Sequence, residues 1–165
     1  MIKQAIIPLA GMGTRLLPLS SVIPKELLPI NGKPGIEYIL DECINSGIKE
    51  IIFVISKRKE VIRKYFFNDA FYRKIIKRKK DNRISEEYKK IKRYKKKIKF
   101  VYQNAPRGTG DALLKCKKLI KGKFFLMLLP DDLIIKKNCA LAMMQLHKKY
   151  KTSVIAAKRV SKKDV

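Results

Sequence analysis

The chain has 165 residues, of which 46% are hydrophobic, enough for the core of one compact domain. Its 40 Lys or Arg against 14 Asp or Glu give a formal net charge of +26, yet the hydrophobic content excludes a charged disordered tail as the explanation for the whole chain. The longest apolar run, residues 124–129, is far shorter than the roughly 20 residues that span a bilayer. Three widely spaced cysteines and one histidine predict neither a disulfide framework nor a zinc site. We therefore expect a cytoplasmic protein with no membrane partner.

Five short apolar runs alternate with amphipathic segments along the chain. Runs rich in Ile, Val, Leu and Phe are typical of strands that are buried on both faces of a parallel sheet. We predict an α/β fold, a Rossmann-like and mostly parallel sheet with helices on both faces and ligands at the carboxyl ends of the strands. The predicted strands are residues 5–9, 51–55, 98–102, 124–129 and 153–157.

Helical spacing of apolar residues fills the gaps between these runs. One helix is predicted to begin near Pro34, a second to cover residues 111–119 with Leu114 in its inward stripe, and a third to be capped by Asn138. Residues 57–99 also show three- and four-residue spacing. They hold 20 Lys or Arg against 5 Asp or Glu, and we expect them to form a basic helical insertion that projects from the body.

The origin of the basic charge has two competing explanations. A nucleic-acid-binding surface would place it on one face, where it releases counterions from phosphates. A codon bias would enrich Lys and Ile without any functional reason. Lys outnumbers Arg 31 to 9, whereas proteins that read bases favour the bidentate fork of Arg. Composition therefore disfavours nucleic acid as a partner.

A glycine-containing loop follows the first predicted strand. Gly11 and Gly13 allow positive φ and bring backbone N–H groups close to a ligand. The loop is not the dinucleotide fingerprint, because Leu16 stands where the third glycine would be, and no Gly-Lys-Ser/Thr of a Walker A loop follows. Arg15 offers a planar fork to phosphate oxygens. A phosphate-binding loop is the favoured interpretation, and an ordinary tight turn is the alternative.

A second cation lies in a stiff segment ten residues further on. Lys25 stands between Pro24 and Pro29 in the string Pro-Lys-Glu-Leu-Leu-Pro. In so Lys-rich a chain an ordinary surface lysine is a strong alternative. The rigid proline frame favours a fixed, functional position for this ammonium group.

The two strings, residues 11–18 and 23–29, together resemble the signature of the sugar-1-phosphate nucleotidyltransferases. Within that superfamily they are most similar to the bacterial UTP–glucose-1-phosphate uridylyltransferases, and the similarity covers most of the chain outside residues 57–99. The resemblance implies uridylyl transfer from UTP to glucose 1-phosphate with Mg²⁺ as cofactor. It assigns nucleotide contacts to Ala10, Gly11, Gly13 and Thr14, the departing phosphates to Arg15 and the α-phosphate to Lys25.

The resemblance also assigns roles later in the chain. Gln103 would contact the uracil edge with its amide, which has both a donor and an acceptor, and Gly108 would let the backbone approach the base. Asp111 stands where related enzymes carry histidine. Asp131, which follows the fourth apolar run, would be the Mg²⁺ ligand, whereas Asp132 is the weaker candidate and is more simply interpreted as a turn residue.

Members of this family continue well beyond the point that corresponds to Val165. We therefore expect a chain that lacks the C-terminal part of the family fold, being either a partial sequence or a truncated product with little activity. A full-length protein of this family could form a homo-oligomer. The alternatives are a thymidylyltransferase, or a transferase for another sugar phosphate, and a basic nucleic-acid-binding module.

Overall fold

Four parallel strands form the central sheet of the computed structural model, which describes residues 2–161. Two further short strands form an antiparallel ribbon. In chain order the strands are β1 (Gln4–Pro8), β2 (Pro29–Ile30), β3 (Lys33–Pro34), β4 (Glu50–Ile55), β5 (Ile98–Tyr102) and β6 (Leu126–Met127). The sheet has the order β5-β4-β1-β6, and β2 pairs with β3.

Six α-helices accompany the strands, and none in residues 2–161 is both long and apolar enough to cross a membrane. They are α1 (Gly35–Asn45), α2 (Glu60–Phe67), α3 (Asp69–Lys79), α4 (Asn82–Lys95), α5 (Gly108–Lys115) and α6 (Cys139–Tyr150). The predicted helix starts near Pro34 and at Asn138 are confirmed. The Asn138 side chain accepts a hydrogen bond from Leu141 N at 2.7 Å and so caps α6.

The two faces of the sheet carry separate hydrophobic cores, because side chains alternate along each strand. In β1, Ala5 and Ile7 face the larger core and Ile6 faces the smaller one, and all three are fully buried. Helices α1, α2, α4 and α6 contribute to the larger core, whereas α5 packs Ala112 against the opposite face. The predicted α/β architecture with helices on both faces is thus confirmed.

Two sequence predictions are wrong in detail. Residues 153–157 form no strand, and Ile155 is 88% exposed. An apolar run predicts burial but not a partner strand, and no described strand pairs with this one. Leu114 is 70% exposed because α5 turns its neighbours Ala112 and Cys116 towards the sheet instead.

The basic stretch is largely helical but does not project from the body. Helices α2 and α4 place Ile62, Phe66, Ile91 and Tyr94 in the larger core. Their apolar faces lie against the sheet and α1, while α3 has no buried residue. The expected projection is therefore wrong for α2 and α4. The apolar residues that recur at helical spacing lie on one face of each helix, and that face packs into the core.

The order of the strands creates a crevice at the carboxyl ends of β1 and β6. The chain runs from β1 to β4 and β5 on one side, and then returns past them to place β6 on the other side of β1. Such a reversal of strand order opens a gap between the connecting loops, where α/β proteins commonly bind ligands. The loops after β1, β5 and β6 contain most of the predicted site residues.

Candidate nucleotide-binding site

A cavity of about 260 Å³ lies at the carboxyl ends of β1, β5 and β6. It collects residues from four separate parts of the chain: the loop after β1, the Lys25 segment, the loop between β5 and α5, and the turn after β6. Six of the predicted site residues line it, namely Ala10, Gly11, Lys25, Gln103, Gly108 and Asp131.

The remaining three predicted residues do not line this cavity. They are Gly13, Thr14 and Arg15, and they lie further along the loop after β1. Gly13 has φ 70°, a left-handed conformation, and an added Cβ would lie 3.2 Å from Ser20 Cβ. The Ser20 hydroxyl donates a hydrogen bond to the Gly13 carbonyl at 2.7 Å. Arg15 is exposed and makes no ion pair with any residue in 2–161. Its guanidinium group is thus free to bind an anion.

Lys25 and Asp131 meet at the cavity wall. Lys25 Nζ donates a hydrogen bond to Asp131 Oδ2 at 2.7 Å. This hydrogen bond, together with the positive charges of Lys25 and Arg15, lowers the pKa of Asp131 below its ordinary value of 3.8. The carboxylate is therefore ionised throughout the neutral range.

The residue after Lys25 forms a buried ion pair. Glu26 is 2% exposed, and Lys59 Nζ donates to its Oε1 and Oε2 at 2.7 and 2.8 Å. Burial lowers the pKa of Lys59, an effect that the charge of Glu26 opposes. Sequence reasoning assigned no role to either residue. The available signal was a carboxylate beside Lys25 inside the proline frame, but its partner on the turn after β4 could not be identified.

The Gln103 side chain is held by two acceptors. It is 5% exposed, and its Nε2 donates to Gly108 O at 3.0 Å and to Asp111 Oδ2 at 2.7 Å. The backbone N–H of Gln103 donates to Ile55 O at 2.8 Å and fixes the residue at the end of β5. Both N–H groups of the amide are thus engaged within the protein. The side chain therefore has no free donor for a ligand, and its carbonyl oxygen is the group available to accept a hydrogen bond.

Asp131 suits a magnesium ion that is shared with a nucleotide. Its side chain is 53% exposed and lies in the cavity, whereas Asp132 lies in the turn and donates its backbone N–H to Leu129 O at 3.3 Å. Mg²⁺ in such sites takes one or two carboxylates, with phosphate and water oxygens completing the shell. Within residues 2–161 no three or more His, Cys, Asp or Glu side chains are grouped so that they could hold a metal ion. A metal ion at Asp131 would therefore need oxygen ligands from the nucleotide and from water.

The sequence of residues 4–164 matches the Nucleotidyl transferase family. The chain belongs to this family. Among relatives of this nucleotidyltransferase, the UTP–glucose-1-phosphate uridylyltransferase of Mycoplasma pneumoniae is 41% identical over 141 residues, which cover 86% of the chain and 48% of the relative. The enzyme of the same name from Bacillus subtilis is 33% identical over 164 residues, 99% of the chain and 56% of the relative.

Solved structures of related nucleotidyltransferases have the same fold. A UTP-bound UGPase from Acinetobacter baumannii superposes with a TM-score of 0.82 at 33% identity, over 92% of this chain and 54% of that one. A glucose-1-phosphate thymidylyltransferase from Bacillus anthracis, at 18% identity and a TM-score of 0.66, shares the fold. The chain thus spans about half the length of the relatives that it matches.

Proposed function

We propose that this nucleotidyltransferase chain binds UTP and forms the nucleotide-binding part of a UTP–glucose-1-phosphate uridylyltransferase. The reaction is the transfer of a uridylyl group from UTP to glucose 1-phosphate, which gives UDP-glucose and pyrophosphate. The observation that carries the proposal is the meeting of Lys25, Gln103 and Asp131 in one cavity. A cation for the α-phosphate, an amide for the base and a carboxylate for the metal ion there match three features of a nucleoside triphosphate with its bound Mg²⁺. The uridylyltransferase names of the relatives support the choice of nucleotide.

In this proposal the chain supplies position and positive charge. Lys25 binds the α-phosphate, Arg15 binds the departing phosphates, and the backbone of Ala10, Gly11 and Gly13 follows the nucleotide closely. Phosphoryl transfer depends mainly on positioning and charge neutralisation. No general base is required, because a sugar phosphate with a second pKa near 6 is already largely a dianion at neutral pH.

Nucleotidyltransferases generally use a divalent metal ion, and we propose Mg²⁺ at Asp131. When bound, the ion neutralises phosphate charge. Lys25 Nζ contacts Asp131 Oδ2, so the ion would bind through Oδ1 or take the place of the ammonium group. We also propose a cytoplasmic location, because Cys43, Cys116 and Cys139 are all free thiols.

Isothermal titration calorimetry of the 165-residue chain with UTP, dTTP and CTP tests the proposal. We expect UTP to bind, CTP to bind more weakly, and Lys25→Met to weaken the binding of UTP. Competition between UTP and dTTP separates a uridylyltransferase from a thymidylyltransferase. Pyrophosphate release with glucose 1-phosphate is expected to be slow, because the relatives carry nearly as much sequence again. Absence of nucleotide binding by the wild-type chain would overturn the proposal.

A further inference from the structure

The orientation of the Gln103 amide is fixed by chemistry. Its Nε2 lies between a backbone carbonyl and a carboxylate, at 3.0 Å from Gly108 O and 2.7 Å from Asp111 Oδ2. The flipped amide would place its own oxygen against two acceptors, which offer no hydrogen, so the flipped form is disfavoured. Within residues 2–161 no hydrogen bond is donated to Gln103 Oε1, and this side chain lines the cavity.

We propose that Asp111 is a positioning residue that makes Gln103 offer only a hydrogen-bond acceptor to the base. This inference rests on the proposed UTP-binding function and deepens it. An acceptor at this edge selects a pyrimidine that carries an N–H at ring position N3, as uracil and thymine do. Cytosine has a lone pair at N3, and two facing lone pairs repel. The carboxylate of Asp111 thus restricts the choice of base without touching it.

The two anchors of the amide differ in kind. Gly108, with φ +81°, turns its carbonyl towards Gln103 in a conformation that glycine adopts without strain. Asp111 is half-buried in the first turn of α5, where the helix dipole favours a negative charge. Its bond is the shorter one and is charge-assisted, so it is the stronger of the two. Loss of Asp111 leaves the Gly108 carbonyl as the acceptor for Nε2, so the preference against the flipped amide becomes weaker.

A comparison of UTP with CTP tests the predicted contact, since cytosine has a lone pair at N3 where uracil has an N–H and adds no bulk there. Dissociation constants are measured for wild type, Asp111→Ala and Asp111→Asn at constant Mg²⁺ concentration. We expect wild type to prefer UTP by about tenfold, the effect of one hydrogen bond. The preference should fall towards one in Asp111→Ala. It should be retained in Asp111→Asn, whose Oδ1 can still accept from Gln103.

Two controls separate this effect from a general structural one. Asp132→Ala removes a nearby carboxylate that makes no contact with Gln103, and it should keep the wild-type preference. The affinity for inorganic triphosphate should be the same in all variants. An unchanged UTP preference in Asp111→Ala, or its loss in Asp111→Asn, would overturn the inference and leave UTP binding standing. No UTP binding by the wild type would overturn both.

Discussion

Lys25 Nζ lies 2.7 Å from Asp131 Oδ2 and joins two segments that are 106 residues apart in the sequence. The proposed α-phosphate ligand and the proposed metal ligand therefore neutralise each other in the chain without nucleotide. A nucleotide with its metal ion would supply a separate partner for each of them. The ion pair thus holds the Lys25 ammonium group and the Asp131 carboxylate at the cavity wall in the absence of a nucleotide and its metal ion.

The first prediction concerns the cation. Lys25→Met should weaken the binding of UTP at least tenfold, because a charge-assisted hydrogen bond to phosphate is worth roughly 1.5–3 kcal/mol. Isothermal titration calorimetry measures this loss. Lys33→Met is the matched control, since Lys33 pairs with Asp41 at a similar exposure but does not line the cavity. Equal losses in both variants would contradict a specific role for Lys25.

The second prediction concerns the titration of Asp131. Its pKa is lowered in the folded chain, so the ion pair contributes its full stability above pH 3.8. That contribution is lost as the pH falls below 3.8 and passes through the lowered pKa. Lys25→Met should raise the pKa of Asp131 towards its ordinary value. Carboxyl ¹³C NMR titration follows it, and the Lys33→Met variant should leave it unchanged.

The third prediction concerns the buried ion pair of Glu26 and Lys59. Lys59→Met should lower the free energy of unfolding by about 3 kcal/mol, because it leaves the Glu26 carboxylate buried without its partner. Urea denaturation measures this change. The double variant Glu26→Leu/Lys59→Met should recover much of the loss, since two packed apolar side chains bury no charge.

An exposed pair provides the control for that experiment. Lys89 and Glu86 form an ion pair whose side chains are 70% and 69% exposed. Lys89→Met should leave the unfolding midpoint unchanged, because water and salt already screen such a pair. If Lys59→Met were equally silent, the Glu26 contact would have no structural importance.

The fourth prediction compares two glycines of the same loop. Gly13→Ala should destabilise the fold by about 1–2 kcal/mol, because φ +70° is costly for a residue with a Cβ and Ser20 lies close. Gly11 has no heavy atom within 4 Å of an added Cβ, so Gly11→Ala should be tolerated. It should still weaken the binding of UTP, since Gly11 lines the cavity. Thermal denaturation and calorimetry separate the two effects.

Local pattern in the sequence was sufficient to predict most of the elements. Four of the five apolar runs contain strands of the sheet, although only Leu126–Met127 of the run 124–129 is a strand, and Asn138 caps the helix that it was expected to cap. The wrong prediction at residues 153–157 has a clear cause. A run of apolar residues favours burial, whereas a strand also requires a register of backbone hydrogen bonds with a neighbour, and residues 153–157 pair with no described strand although β6 lies at the edge of the sheet.

The sequence by itself determined the glycine-rich loop, the proline-framed Lys25 and the family, because these depend on residue type and short spacing. Only the tertiary structure showed which side chains contact one another in the site. The contacts of Lys25 with Asp131 and of Glu26 with Lys59 join distant segments through the order of the strands. The direction of the Gln103 amide depends on Asp111 across a turn. Short-range pattern records backbone preference and burial, whereas the pairing of charges depends on how the whole sheet brings its loops together.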